Sequence, residues 1–176
     1  MSAEPDPGLL QGFACVARRD ARVLVLGSMP GQASLDQDQY YAHPRNAFWY
    51  IMGRLFDAGT DRPYAQRLTI LQRQGIALWD VVHRCVRKGS LDADIEHDSV
   101  EPNDLQGLFI QCPNISHVFF NGRKAAELYR RMVEPTLAVP GHMHYLTLPS
   151  TSPAHAGVDR EAKLRQWSCI KTILEH

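Results

Sequence analysis

The sequence predicts an α/β fold, a three-layer α/β/α sandwich around a central, mainly parallel four-stranded sheet. Four short apolar runs, at residues 23–26, 76–79, 118–120 and 145–148, are β-rich and nearly continuous, as expected of strands buried on both faces. Stretches of helical periodicity separate them. Strands alternating with helices build a parallel sheet covered on both sides.

Residues 1–176 read as a single domain, with no internal repeat or linker. Residues 1–7, acidic and carrying Pro5 and Pro7, read as a flexible N-terminal segment and lack the basic start and apolar core of a signal peptide. The first strand, 23–26, runs into a turn of Gly27, Ser28, Met29, Pro30 and Gly31. Helical patterns follow at 48–56 and 64–74, before the second strand at 76–79. A helix at 105–111 precedes the third strand, and one at 125–133 precedes the fourth. A final helix fits 160–174, with Leu164, Trp167, Ile170 and Leu174 on one stripe.

A chain of 176 residues, 44% hydrophobic, has the length to bury a core without covalent staples. Nineteen basic residues balance nineteen acidic ones, for a net charge of zero. That excludes nucleic-acid binding by a uniformly cationic molecule and leaves room for a local basic surface. Cys15, Cys85, Cys112 and Cys169 are far apart in sequence and read as reduced thiols. His142 and His144 alternate on one strand face without an evident third ligand, so no metal is expected. No apolar run approaches a membrane span, and the expected location is cytoplasmic.

In parallel sheets ligands bind beyond the carboxyl ends of the strands, so the residues that follow each strand matter most. After the first come two glycines around a proline, which make a tight turn or admit a ligand to the backbone. Gln39 to Trp49 then concentrates aromatic faces and polar tips ahead of a helix; Asn46 is also a favourable helix cap, and Phe48 and Trp49 suit a core. Asp80 closes the second strand and either functions there or pairs with Arg84 or Arg87. Asn121 closes the third, its donor and acceptor suited to a nucleobase edge or simply to a turn beside Gly122. The fourth enters a Ser/Thr/Pro loop with Ser150, Thr151 and Ser152, able to hold phosphates. Together these describe a pocket for an extruded base.

Three segments carry a family resemblance: GSMPG at 27–31, YYAHPRNAFW at 40–49 and LPSTSPA at 148–154. They resemble motifs of the uracil-DNA glycosylase superfamily, closest to its hypoxanthine-DNA (deoxyinosine) glycosylase branch. The resemblance implies a DNA repair enzyme that flips out a deaminated base, hypoxanthine above all and also uracil or xanthine, and hydrolyses its N-glycosidic bond. It further implies Asn46 as the catalytic residue and Tyr41 as the aromatic that stacks on the base. Phe48, Asn121 and the turn of Gly27, Ser28, Met29, Pro30 and Gly31 would complete the base pocket. Arg45, Arg123, Lys124, Ser150, Thr151 and Ser152 would contact the DNA, single- or double-stranded. No cofactor is implied; the expected protein is monomeric and associated with the nucleoid through DNA.

Two positions depart from the superfamily pattern. Met29 stands where most branches place an aspartate or asparagine, which moves the chemical burden to Asn46. Leu148 stands where a histidine or asparagine often stabilises the departing base, and Ser150, Thr151 and Ser152 include no bulky wedge for the emptied stack. His155 lies just beyond this motif.

Two other readings stay open: a non-catalytic nucleic-acid or nucleotide-binding module, and an esterase-like hydrolase built on Ser28, His155 and Asp159. With zero net charge, DNA binding requires one basic face. Arg45, Arg84, Arg87, Lys88, Arg123 and Lys124 are its candidates, with Asp36, Asp38, Asp92, Asp94 and Glu96 expected elsewhere, together with Glu4 and Asp6.

Overall fold

The computed structural model describes residues 8–138 and 143–176, so the segment 1–7 and His142 lie outside the described residues. The elements are β1 (Leu9–Gln11), β2 (Val23–Gly27), α1 (Gln32–Gln37), α2 (Phe48–Phe56), α3 (Tyr64–Arg73), β3 (Ile76–Asp80) and β4 (Val82–Val86). They continue with β5 (Glu101–Pro102), α4 (Leu105–Gln111), β6 (His117–Asn121), α5 (Arg123–Leu128), β7 (His144–Leu148), α6 (Arg160–Trp167) and α7 (Cys169–Leu174).

The four apolar runs form one parallel sheet in the order β3-β2-β6-β7. Alternate strand residues enter two separate cores, which makes the fold three-layered. Val23, Val25, Ile76, Leu78 and Phe119 pack with α2 and with Trp167 and Ile170. Leu24, Leu26, Ala77, Val118 and Phe120 face α4 and α5 on the other side. Asp104 and Asp159 cap α4 and α6 by accepting from Gly107 and Ala162 amides at 2.9 and 2.8 Å.

Three expectations need correction. β7 is an edge strand paired with β6, so Leu146 is 46% exposed rather than buried on both faces. The final helix breaks into α6 and α7 at Ser168, whose hydroxyl donates to the Arg165 carbonyl at 2.6 Å. A second, antiparallel sheet of order β1-β4-β5 and the short helix α1 escaped the periodicity reading. Only Val81 separates β3 from β4, and β1 and β5 are 3 and 2 residues long, too brief for a pattern. α5 matches its expected helix, continuing through a wider turn over Tyr129–Val133.

No helix among the described residues is long and apolar enough to cross a membrane. The four cysteines are free, Cys85 and Cys112 buried, Cys15 and Cys169 half-buried. The His117 and His144 rings stack at 4.8 Å, and no group of three or more metal-ligating side chains occurs among the described residues.

Candidate active site

The site is set by how the strands end. Asp80 pairs with Gly27 across β3 and β2, and Asn121 pairs with Leu148 across β6 and β7. Strand alternation points all four toward the side of the sheet covered by α2. Gly27 has no side chain in this row, and its neighbours use the space: a methyl group there would lie 2.4 Å from Asp80 Oδ1 and 3.2 Å from the Tyr41 hydroxyl.

Beyond Gly27 the turn is held by backbone bonds from Val81 to the Gly27 carbonyl (2.8 Å) and from Val82 to that of Ser28 (3.0 Å). Ser28 is buried, and its hydroxyl donates to Asp92 Oδ1 at 2.6 Å. Ser90 Oγ accepts from the Gln32 amide at the start of α1, at 2.9 Å. These two bonds fasten the loop of residues 87–96 against the turn as a wall of the site. Burial pushes the Asp92 carboxyl up, with the Ser28 hydrogen bond opposing it. The esterase arrangement is not built: Ser28 bonds a carboxylate rather than a histidine, and Asp159 is engaged as the cap of α6.

The aromatic loop is fixed at several points. Tyr40 donates its hydroxyl to the Ala14 carbonyl at 2.9 Å, and its own carbonyl accepts from the Trp49 indole at 2.8 Å. Next to it, Tyr41 adopts a left-handed backbone with φ 56°, a conformation that costs energy in a residue with a side chain. Its ring lies on Phe48 with centroids 4.0 Å apart and planes tilted 30°. Phe48 is fully buried and backs Tyr41 from the core side, as a helix-opening core residue would. Asn46 Oδ1 accepts from the Phe48 amide at 3.0 Å, so α2 orients the carboxamide from its oxygen.

Thr151 joins the remaining pieces. Its amide donates to Asn121 Oδ1 and its hydroxyl accepts from Asn121 Nδ2, both at 2.9 Å. Its carbonyl accepts from the Ala47 amide at 3.0 Å, which ties the serine loop to the residue after Asn46. Gly122, at φ 94°, lets the chain turn beneath Ser150. Lys163, buried on α6, donates to the His155 carbonyl at 2.7 Å and anchors the far end of the loop.

These parts surround one cleft of about 1120 Å³ at the carboxyl edge of the sheet. Of the expected base-pocket residues, Met29, Pro30, Gly31 and Tyr41 line it, as does Asn46, the expected catalytic residue. Gly27, Ser28 and Asn121 are buried beneath it, and Phe48 lies behind Tyr41. Of the expected DNA contacts, Arg45, Arg123, Lys124, Ser150 and Ser152 line the cleft. Thr151 is buried rather than on the surface, because Asn121 takes its hydroxyl. Leu148 closes the floor, and His155 is exposed on the rim.

The expected charge asymmetry is corrected in two places. Arg87 is only 3% exposed and donates to the Gly89 carbonyl at 2.7 Å, so it is no surface phosphate contact. Asp92 lies in the cleft, held there by Ser28, rather than on a remote acidic face. Arg84 pairs with Glu101 at 2.8 Å in the small sheet. Around the cleft Arg45, Arg123 and Lys124 still outnumber Asp92. Sequence reasoning missed the wall formed by Ser90, Leu91 and Asp92; its signal was the Arg-Lys-Gly-Ser string after an apolar run, read there only as charge.

The profile of the Uracil DNA glycosylase superfamily matches residues 15–173. The hypoxanthine DNA glycosylase of Methanosarcina barkeri is 36% identical over 144 residues, covering 80% of this chain and 85% of that protein. The hypoxanthine DNA glycosylase of Methanosarcina acetivorans is 33% identical over 161 residues, covering 91% and 96%. A solution NMR structure of a Methanosarcina acetivorans protein assigned to the uracil DNA glycosylases superposes with a TM-score of 0.77 at 31% identity, covering 96% of this chain and 99% of that one. With its sheet order, its cleft and these matches along nearly the whole length, the chain belongs to the uracil DNA glycosylase superfamily.

Proposed function

We propose that the protein is a DNA glycosylase that extrudes a deaminated base, hypoxanthine first, and hydrolyses its N-glycosidic bond to leave an abasic site. The observation that carries this reading is the convergence of Tyr41, Asn46, the end of the turn at 29–31 and the serine loop on one cleft edged by Arg45, Arg123 and Lys124. The two Methanosarcina relatives, both hypoxanthine DNA glycosylases by name, support hypoxanthine ahead of uracil or xanthine.

Glycosidic cleavage leaves positive character on the sugar and negative charge on the departing base. The site must steady that charge and bring water to the sugar carbon. Asn46 suits this work. Its oxygen is anchored by the Phe48 amide, so the carboxamide is preoriented, with its amide protons left to donate in the cleft and its second lone pair to hold water. The free face of Tyr41 stacks on the base, a contact worth about 1–3 kcal/mol. Lys124, Arg123 and Arg45 hold phosphates, and the enzyme acts as a monomer on DNA in the cytoplasm.

The test is incubation with duplex and single-stranded oligonucleotides carrying hypoxanthine, xanthine, uracil or mismatched thymine. Alkali-labile breaks at hypoxanthine are expected. A gel shift with no cleavage on any substrate would make the protein a binding module instead.

A further inference from the structure

Asp80 has no part in the chemistry above, yet it sits under the centre of the site. It is 3% exposed at the end of β3, and its Oδ2 is buried without a hydrogen-bond partner. The Tyr41 hydroxyl is also buried and unpartnered. The same carboxyl group and the phenol share the space that Gly27 leaves free: a methyl there would meet the other carboxyl oxygen, Asp80 Oδ1, at 2.4 Å and the phenol at 3.2 Å. Asn121, its carboxamide already fixed by Thr151, reaches the phenol oxygen from the other side of Gly27 as a donor. That approach opposes the upward push of burial and leaves the phenol proton still without an acceptor. Three strand ends, an acid, a glycine and an amide, thus form a socket for one phenol. The phenol belongs to a residue in a strained backbone whose ring lines the cleft.

A buried carboxyl with an unpaired oxygen close to a buried phenol whose proton has no acceptor is unfavourable for both, and catalytic-site hydrogen bonds often tighten only when substrate is bound. We propose that Asp80 is a positioning residue for Tyr41: its carboxylate accepts the phenol hydrogen bond across Gly27 when a base enters the cleft, and so fixes the tilt of the ring on which the base stacks. The inference rests on the glycosylase reading, since it assigns Asp80 to base capture.

The surroundings set the pH response. Asp92 raises the Asp80 carboxyl and the Arg87 guanidinium lowers it, while burial, the largest cause, brings it to about 7. Tyr40, Tyr41 and Cys15 also feel its charge, and burial holds all three protonated well above neutrality. Asp80 is therefore the group in this socket that ionises near neutral pH, and its ionised form is the better acceptor. Base capture should tighten as pH rises through about 7.

The experiment is a double-mutant cycle under single-turnover conditions on a hypoxanthine duplex, using wild type, Asp80→Ala, Tyr41→Phe and the double variant. Asp80→Ala and Tyr41→Phe should each raise the half-saturating concentration about 5- to 10-fold, and the double variant should be no worse than Tyr41→Phe alone. Effects that multiply, or wild-type behaviour in Asp80→Ala, would overturn the proposal. A second readout does not depend on how Asp80→Ala folds: the wild type should gain affinity between about pH 6 and pH 8, and Tyr41→Phe should not. The same pH dependence in both proteins would also overturn it. A wild type inactive on every deaminated base defeats the glycosylase reading itself; an active wild type with multiplicative variants defeats only the role of Asp80.

Discussion

Asn121 and Thr151, thirty positions apart, exchange two hydrogen bonds of 2.9 Å each, the amide of one side chain engaging both the backbone and the hydroxyl of the other. Both residues are buried, and Thr151 also receives the Ala47 amide. One side-chain amide at a strand end therefore sets the serine loop relative to the aromatic loop.

Breaking this exchange should loosen two walls of the cleft together. Asn121→Ala leaves the Thr151 amide and hydroxyl without their partner, at a cost of about 1–3 kcal/mol for each buried unsatisfied group. Thr151→Val keeps the backbone bond and should cost less, about 1–2 kcal/mol. Denaturant unfolding of both variants checks the order; a larger loss in Thr151→Val would contradict it.

Gly27 is the second sensitive point. A methyl group at 2.4 Å from a buried carboxylate oxygen cannot be accommodated without moving Asp80 or the turn. Gly27→Ala should destabilise the fold by about 1–3 kcal/mol and depress activity beyond what stability explains. Equal melting temperatures and rates for variant and wild type would show that the floor of the cleft yields easily.

Stability should fall as pH rises from acid to neutral. Folding moves the Asp80 carboxyl from its ordinary 3.8 to about 7, chiefly through burial. Between those values the folded state keeps a proton that the unfolded chain releases, so stability declines across that window and levels off above it. Asp80→Asn removes this dependence. Its melting temperature relative to wild type should therefore rise between about pH 4.5 and pH 8, and a constant difference would refute the assignment.

The zero net charge predicts salt-sensitive DNA binding of modest strength. Arg45, Arg123 and Lys124 edge the cleft, and replacing any one with Gln should lower the slope of log affinity against log salt by about 1. The loss should be similar for damaged and undamaged DNA. Arg84, paired with Glu101, should contribute little to the slope.

The sheet was legible because its strands are written locally. Apolar runs such as 23–26 and 118–120 need no distant partner to be recognised, and the observed strands extend each by one residue at its carboxyl end, to Gly27 and Asn121. That the segment carrying Tyr41 and Asn46 would reach the cleft was legible through its density of aromatic and amide groups. What escaped depends on contacts made only by folding. Asp92 reaches Ser28 across 64 positions, and nothing in the string Leu91-Asp92-Ala93-Asp94 distinguishes the acid that enters the cleft. Arg87 reads as a surface cation beside Lys88 and is buried because β4 joins a sheet too short to announce itself. Phe48 and Thr151 sit inside motifs that touch the cleft, yet serve from behind it.

Whether Asn46 drives base excision in this cleft is decided by single-turnover release of hypoxanthine from duplex DNA by wild type and Asn46→Ala. The wild type should convert the substrate to alkali-labile abasic sites. Asn46→Ala should be slower by about 100-fold or more while binding the duplex within a few-fold of wild type. Undiminished excision by Asn46→Ala would remove Asn46 from the chemistry.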